Sequence, residues 1–155
     1  MIEPIPMSSP DITANDLDAV QGVLRTRSLS IGPRIDEFEE RIARYTGTDH
    51  AIGVSSGTAG LHLAIIAASV GAGDLVVTTP FSFVASANCI LYERAFPVFV
   101  DIDRETLNIE PSLVAQAVDD LAHGRSAATH LLPPAVRHAS STVRRPKAIL
   151  PVDVC

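Results

Sequence analysis

Residues 51–79 read AIGVSSGTAGLHLAIIAASVGAGDLVVTT, and their reading decides the fold. Ala51-Ile52-Gly53-Val54 is a short apolar run of the buried-strand kind. It passes through Ser55-Ser56-Gly57-Thr58 into a helix expected from about Ala59 to Val70, closed by Gly71. Leu75-Val76-Val77-Thr78-Thr79 is a second apolar run, ended by Pro80. Continuous apolar strands, rather than alternating ones, belong to a parallel sheet covered on both faces.

The pattern extends on both sides. Downstream, a helix is expected from about Phe83 to Glu93 and a strand over Pro97-Val98-Phe99-Val100. Another helix opens at Glu110-Pro111, with proline in its first turn and Leu113, Val114, Ala117 and Leu121 on its apolar side. Ala148 to Val154 is a last apolar run. Alternating strands and helices define an α/β domain. Right-handed crossovers then put the C-terminal ends of the strands on one edge, where ligands bind. Upstream, Thr13 and Asp16 form a capping pair before a helix carrying Leu17, Val20 and Leu24, which is expected to end near Arg27. Gly32-Pro33 breaks the chain before a second amphipathic helix, with Ile35, Phe38, Ile42 and Tyr45 on one face and Gly47 as its stop. The expected organisation is therefore a helical segment over 1–47 and an α/β domain over 48–155. Within the latter, 122–146 reads as an irregular connection, because glycine, proline and hydroxyl residues interrupt any period.

Composition narrows the function. The 155 residues are 46% hydrophobic, enough for a core, and their net charge is −6. That balance argues against nucleic acid or an anionic membrane as partner. The N-terminus has no basic and apolar leader pattern, and the longest apolar stretch, near Leu61–Val70, is interrupted by His62 and falls short of the ~20 residues that span a bilayer. A soluble, cytoplasmic protein is expected. Cys89 and Cys155 form no C-x-x-C pair and read as buried structural thiols. Eleven of the twelve basic residues are arginine; the single lysine is Lys147.

The chemistry is sought after each strand. Ser55-Ser56-Gly57-Thr58 leads into a helix, whose free N–H groups and positive dipole end suit an anion; the alternative is an ordinary N-cap. The turn is neither a Walker A loop nor a G-x-G-x-x-G. Phe81 and Phe83 follow the second strand, where they either pack in the core or stack on a planar ligand ring. Asp101 and Asp103 follow the third. They suit a metal or a base, but turn capping before Leu107 is the better reading. His123, His130 and His138 have no zinc-ligand spacing.

Taken together, the motifs resemble the N-terminal part of the DegT/DnrJ/EryC1/StrS aminotransferases, pyridoxal-phosphate (PLP) enzymes of the aspartate-aminotransferase fold. The resemblance lies in Ile5-Pro6-Met7-Ser8, Leu29-Ser30-Ile31-Gly32-Pro33, Phe38-Glu39 and Ser55 through Leu63. It continues in Pro80-Phe81-Ser82-Phe83-Val84-Ala85-Ser86-Ala87-Asn88, Pro97 through Asp103, and Lys147-Ala148-Ile149-Leu150-Pro151-Val152. It implies an incomplete three-layer α/β/α domain of fold type I, with a mainly parallel sheet. It also implies that Gly57 and Thr58 hold the cofactor phosphate and that Phe83 stacks on the pyridine ring; Asp101 and Asp103 match acidic positions of the family without an assigned role. The family transfers an amino group from an amino acid such as glutamate to a nucleotide-linked keto sugar, as a homodimer with active sites at the subunit interface and the loop around Ser30-Ile31-Gly32 nearby. A minority of members, with histidine in place of the lysine, dehydrate the sugar instead.

One departure matters. The family's Schiff-base lysine, and the aspartate that pairs with the pyridine nitrogen, fall beyond Cys155, and Lys147 matches an ordinary position before a strand. The expectation is a truncated aminotransferase, inactive by itself, with no catalytic residue in the chain. Its Ile52 strand would lack neighbours and leave apolar edges open. The rival readings are a non-catalytic phosphate-ligand or regulatory module that partners a full-length relative, and a small metal-dependent α/β enzyme built on Asp101 and Asp103.

Overall fold

The computed structural model describes residues 5–6, 8–137 and 145–154. Met1–Pro4, Met7, His138, Ser140, Ser141 and Cys155, to which some of these expectations apply, lie outside the described residues. The contacts divide the chain into two units, Met1–Gly53 and Val54–Cys155.

The first unit holds helices α1 (Ala14–Leu24) and α2 (Pro33–Thr46). At the start of α1 the Asp16 carboxylate accepts both the N–H and the hydroxyl of Thr13, at 2.7 Å each. These bonds hold the Asp16 carboxyl below its ordinary range. The helix stops at Leu24 rather than near Arg27. Gly47 ends α2 with φ 71°, the left-handed turn that glycine adopts without strain. The unit extends past the expected boundary at 47 because Gly53 is tied back to α2: its N–H donates to Glu39 Oε1 at 2.7 Å. No described residue of α1 or α2 is buried, so the apolar faces that define these helices in sequence are open.

The second unit carries α3 (Gly57–Ala67), β1 (Leu75–Thr78), α4 (Ala85–Tyr92), β2 (Phe96–Phe99), α5 (Pro111–Ala122) and β3 (Ala148–Ile149), with a 3₁₀ turn over Ser126–His130 and the short α6 (Pro134–Arg137) before β3. The strands form one parallel sheet in the order β2-β1-β3. Leu75 pairs with Phe96 and Val77 with both Val98 and Ile149. Alternation along β1 sorts the core into two layers. Leu75 and Val77, with Val98, Val100, Ala117, Leu121 and Ala128, fill one side. Val76, with Ile65, Val70, Cys89, Ile90 and Ala95, fills the other. This is the expected three-layer α/β/α arrangement, with β1 at its centre.

Three expectations are corrected. Ala51–Val54 is not a strand: it pairs with no strand among the described residues, and Ile52 is 79% exposed. An apolar run becomes a strand only where a neighbour receives its hydrogen bonds, and here its one long-range polar tie is to α2. The connection expected over 122–146 carries regular structure in its described part, a 3₁₀ turn at Ser126–His130 and a short helix at Pro134–Arg137. α5 runs through Ala122, and Arg125 then folds back, its guanidinium on the carboxylates of Asp119 and Asp120 (3.0 Å to the latter). Ala128 and Val136 enter the core. The last apolar run forms a strand at Ala148–Ile149 alone, and the Leu150 carbonyl accepts the Thr78 hydroxyl at 2.9 Å.

Candidate functional site

The Ser55–Thr58 turn does open a helix, and α3 begins at Gly57. The Ser56 hydroxyl accepts the Ala59 N–H at 3.2 Å, and the Ser56 carbonyl accepts the Gly60 N–H at 3.1 Å. Ser56 is therefore the ordinary cap. The N–H groups of Gly57 and Thr58 and the Thr58 hydroxyl have no hydrogen-bond partner among the described residues. Gly57 is exposed, and a Cβ placed there would meet nothing within 4 Å. The capping reading accounts for one donor, while two N–H groups and a hydroxyl are left without a partner among the described residues. At the positive end of α3, such donors suit a phosphate dianion.

Position follows from connectivity. α3 returns through residues 68–74 to the N-terminal end of β1. Its own start therefore lies toward the C-terminal edge of the sheet, where Leu61 packs in the same cluster as Leu150. Phe83 reaches that edge from the other direction, in the turn between β1 and α4. It is 77% exposed and Phe81 is 47% exposed. Neither is buried in the core among the described residues. The turn that carries them is stitched by hydroxyls that the sequence reading passed over. The Phe81 N–H donates to Thr79 Oγ1 at 3.2 Å, and Ser82 Oγ lies 2.7 Å from Ser86 Oγ. The density of serine and threonine over residues 78–86 was the available signal.

The acidic pair after β2 separates into structural tasks. Asp103 Oδ1 accepts the N–H groups of Glu105 and Thr106 at 3.1 and 2.7 Å, and those bonds hold its carboxyl below the usual range. It caps the turn before Leu107. Asp101 Oδ1 accepts the Ile102 N–H at 2.8 Å. His123 lies against Asp119, and His130 is exposed. Among the described residues no three His, Cys, Asp or Glu side chains converge as a metal site would need. The Cys89 thiol is fully buried, donates to the Ser86 carbonyl at 3.4 Å and is pushed up by desolvation, as a structural thiol should be. No described helix is long and apolar enough to cross a membrane.

Lys147 stands apart from all of this. Its backbone N–H donates to the Leu75 carbonyl at 2.7 Å, which fixes it at the N-terminal edge of the sheet. Three residue steps of β1 separate that edge from Thr78, about 10 Å at strand rise. The single lysine is on the wrong side for a site at the start of α3.

A parallel sheet with helices on both faces and a Ser-Gly-Thr turn opening a helix is the architecture of PLP-dependent aminotransferases of fold type I, and solved structures agree. The chain superposes on Spr1654 of Streptococcus pneumoniae, described as a sugar aminotransferase and solved in its PLP form, with a TM-score of 0.68 and 36% identity over 72% of this chain and 29% of that one. A DegT/DnrJ/EryC1/StrS aminotransferase from Brucella abortus gives 0.69 and 27% identity over 87% of this chain and 32% of the other. In sequence, the chain is 42% identical to the spore coat polysaccharide biosynthesis protein SpsC of Bacillus subtilis over 114 residues, 74% of this chain and 29% of the relative. It is 38% identical to the UDP-4-amino-4-deoxy-L-arabinose–oxoglutarate aminotransferase of Shewanella sediminis over 116 residues, 75% and 30% of the two chains. The profile of the DegT/DnrJ/EryC1/StrS aminotransferase family matches residues 10–155. The chain belongs to that family, and it spans under a third of the length of these relatives.

Proposed function

We propose that residues 54–155 form the phosphate- and ring-holding part of a PLP site in a sugar aminotransferase. The parent reaction transfers an amino group from an amino acid such as glutamate to a nucleotide-linked keto sugar. The observation that carries this reading is the start of α3: among the described residues, the N–H groups of Gly57 and Thr58 and the Thr58 hydroxyl have no partner, and Gly57 is open. Gly57 and Thr58 would hold the phosphate, and Phe83 would lie against the pyridine ring. When bound, that ring supplies the electron sink that amino-group transfer requires. The chain's own residues would bind and orient it. The transfer also needs a lysine that bonds the cofactor. Lys147 does not qualify, since it is fixed at the opposite edge of the sheet.

Residues 1–155 alone are therefore expected to bind the cofactor without turning over. The test is calorimetric titration of this chain with pyridoxamine 5′-phosphate, which cannot bond a lysine, and with pyridoxamine, which lacks the phosphate. Binding of the first and not the second supports the phosphate role. Equal affinity for both refutes it, and glutamate-dependent amination of a nucleotide keto sugar by this chain would refute the missing-lysine reading. The homodimer belongs to the same proposal. The open apolar faces of α1 and α2, with no described residue buried, favour a covering partner, and sedimentation of the protein reads its state directly.

A further inference from the structure

We infer that Ser82 is a positioning residue for the Phe83 ring, acting through a two-hydroxyl chain that begins at Ser86. This rests on the proposed PLP site and adds to it the device that aims its aromatic wall. Ser86 is 7% exposed, in the first turn of α4. Its Oγ lies 2.7 Å from Ser82 Oγ, and Ser82 Oγ lies 3.2 Å from the Phe83 carbonyl oxygen. Each hydroxyl has one proton to give. Ser82 has the Phe83 carbonyl to donate to, so Ser86 donates to Ser82. The same carbonyl accepts the Ser86 N–H at 3.1 Å, so both its lone-pair directions are engaged.

The bonds fall on the backbone and none on the ring. Phe83 is held at its peptide while the residue is 77% exposed, with no aromatic partner among the described residues. An exposed phenylalanine gains nothing from a fixed backbone in water. The fixing is useful where the ring must wait at one place for a ligand face, because the ordering cost is then met before binding. Ser86 is anchored from beneath as well: its carbonyl accepts the buried Cys89 thiol at 3.4 Å. The chain of contacts thus runs from the core to the Phe83 peptide.

The test uses the whole chain, with pyridoxamine 5′-phosphate and inorganic phosphate as separate ligands. Phe83→Ala is expected to weaken the first by about tenfold, the scale of a lost ring contact, and to leave the second unchanged. Ser82→Ala is expected to weaken pyridoxamine 5′-phosphate about three- to fivefold through regained backbone freedom, with phosphate unchanged. The double variant should be no weaker than Phe83→Ala, since positioning has no value without the ring. Ser82→Thr, which keeps the hydroxyl, should retain affinity. Ser86→Ala, which removes only the first link, should show a smaller loss of the same kind and guards against misfolding of the Ser82 variant. If Phe83→Ala weakens binding and Ser82→Ala does not, positioning is refuted while the ring's role survives. Additive losses, or a parallel loss of phosphate affinity, also refute it. If Phe83→Ala has no effect, the stacking reading itself fails.

Discussion

Thr58→Val and Ser56→Ala separate a ligand-binding helix start from a merely capped one. The two hydroxyls are two residues apart and have opposite commitments. Ser56 Oγ accepts the Ala59 N–H at 3.2 Å, whereas Thr58 Oγ1 has no partner among the described residues. Removing the Ser56 hydroxyl should cost about 1 kcal/mol of stability, the usual loss at a serine N-cap. Valine matches threonine in shape and branching, and no folded-state bond is lost at position 58. Its stability change should stay within about 0.5 kcal/mol. The ligand terms reverse the order. A hydrogen bond to a charged acceptor contributes about 1.5–3 kcal/mol, so Thr58→Val should weaken phosphate-ligand binding by roughly ten- to a hundredfold. Ser56→Ala should change it little, because its hydroxyl already serves the backbone. Urea melts give the first quantity, and titration with pyridoxamine 5′-phosphate gives the second. A Thr58→Val protein that is destabilised yet binds normally would refute the reasoning.

Other outcomes follow from the same geometry. Asp103→Asn should destabilise the protein at neutral pH and lose its effect in acid. The Asp103 carboxyl is held below its ordinary value by the Thr106 and Glu105 N–H groups. Its stabilisation is therefore present above the unfolded carboxyl's range and disappears as pH falls through the lowered folded value. Melting temperature against pH for both proteins measures the window, and parallel curves would overturn the capping role. Cys89 should resist a thiol reagent in the folded protein and react on unfolding. Because burial raises its thiol above the ordinary thiol range, stability should fall as pH climbs past that range, and a Cys89→Ala protein should lack this component. Ile90→Ala should cost about 2–5 kcal/mol, since the side chain is wholly enclosed; a loss under 1 kcal/mol would mean that the α4 face of the sheet is loosely packed.

Most of the α/β unit was legible because its signals are local. Continuous apolar runs at 75–79 and 97–100 mark the two strands, of which β1 is buried throughout and β2 leaves Phe99 exposed, and Pro111 marks the start of α5 to the residue. The irregular segment hid its order for an equally physical reason. Its ties are individual rather than periodic: Arg125 reaches back to Asp120, and Arg137 Nε donates to the Leu132 carbonyl at 2.7 Å. No window of hydrophobicity registers such bonds. The link from the middle of α3 to the C-terminal end of α4, His62 Nε2 to Glu93 Oε1 at 2.7 Å, spans 31 positions and was invisible for the same reason.

Ile52 shows where local legibility ends. Its run has the composition of a buried strand, and composition is a statement about surroundings, not about partners. Val76 has the same character and is fully enclosed, because β2 and β3 flank it and α3 and α4 cover it. Ile52 is 79% exposed and unpaired among the described residues. What separates the two is therefore the availability of neighbours. The Ser55–Thr58 turn escapes this dependence. Its donors are backbone groups at the first residues of one helix, and Ser56 and Ala59 organise them within four positions of sequence. A candidate site built from local geometry can thus be read, and put to the test, even where the neighbouring apolar segment pairs with no strand among the described residues.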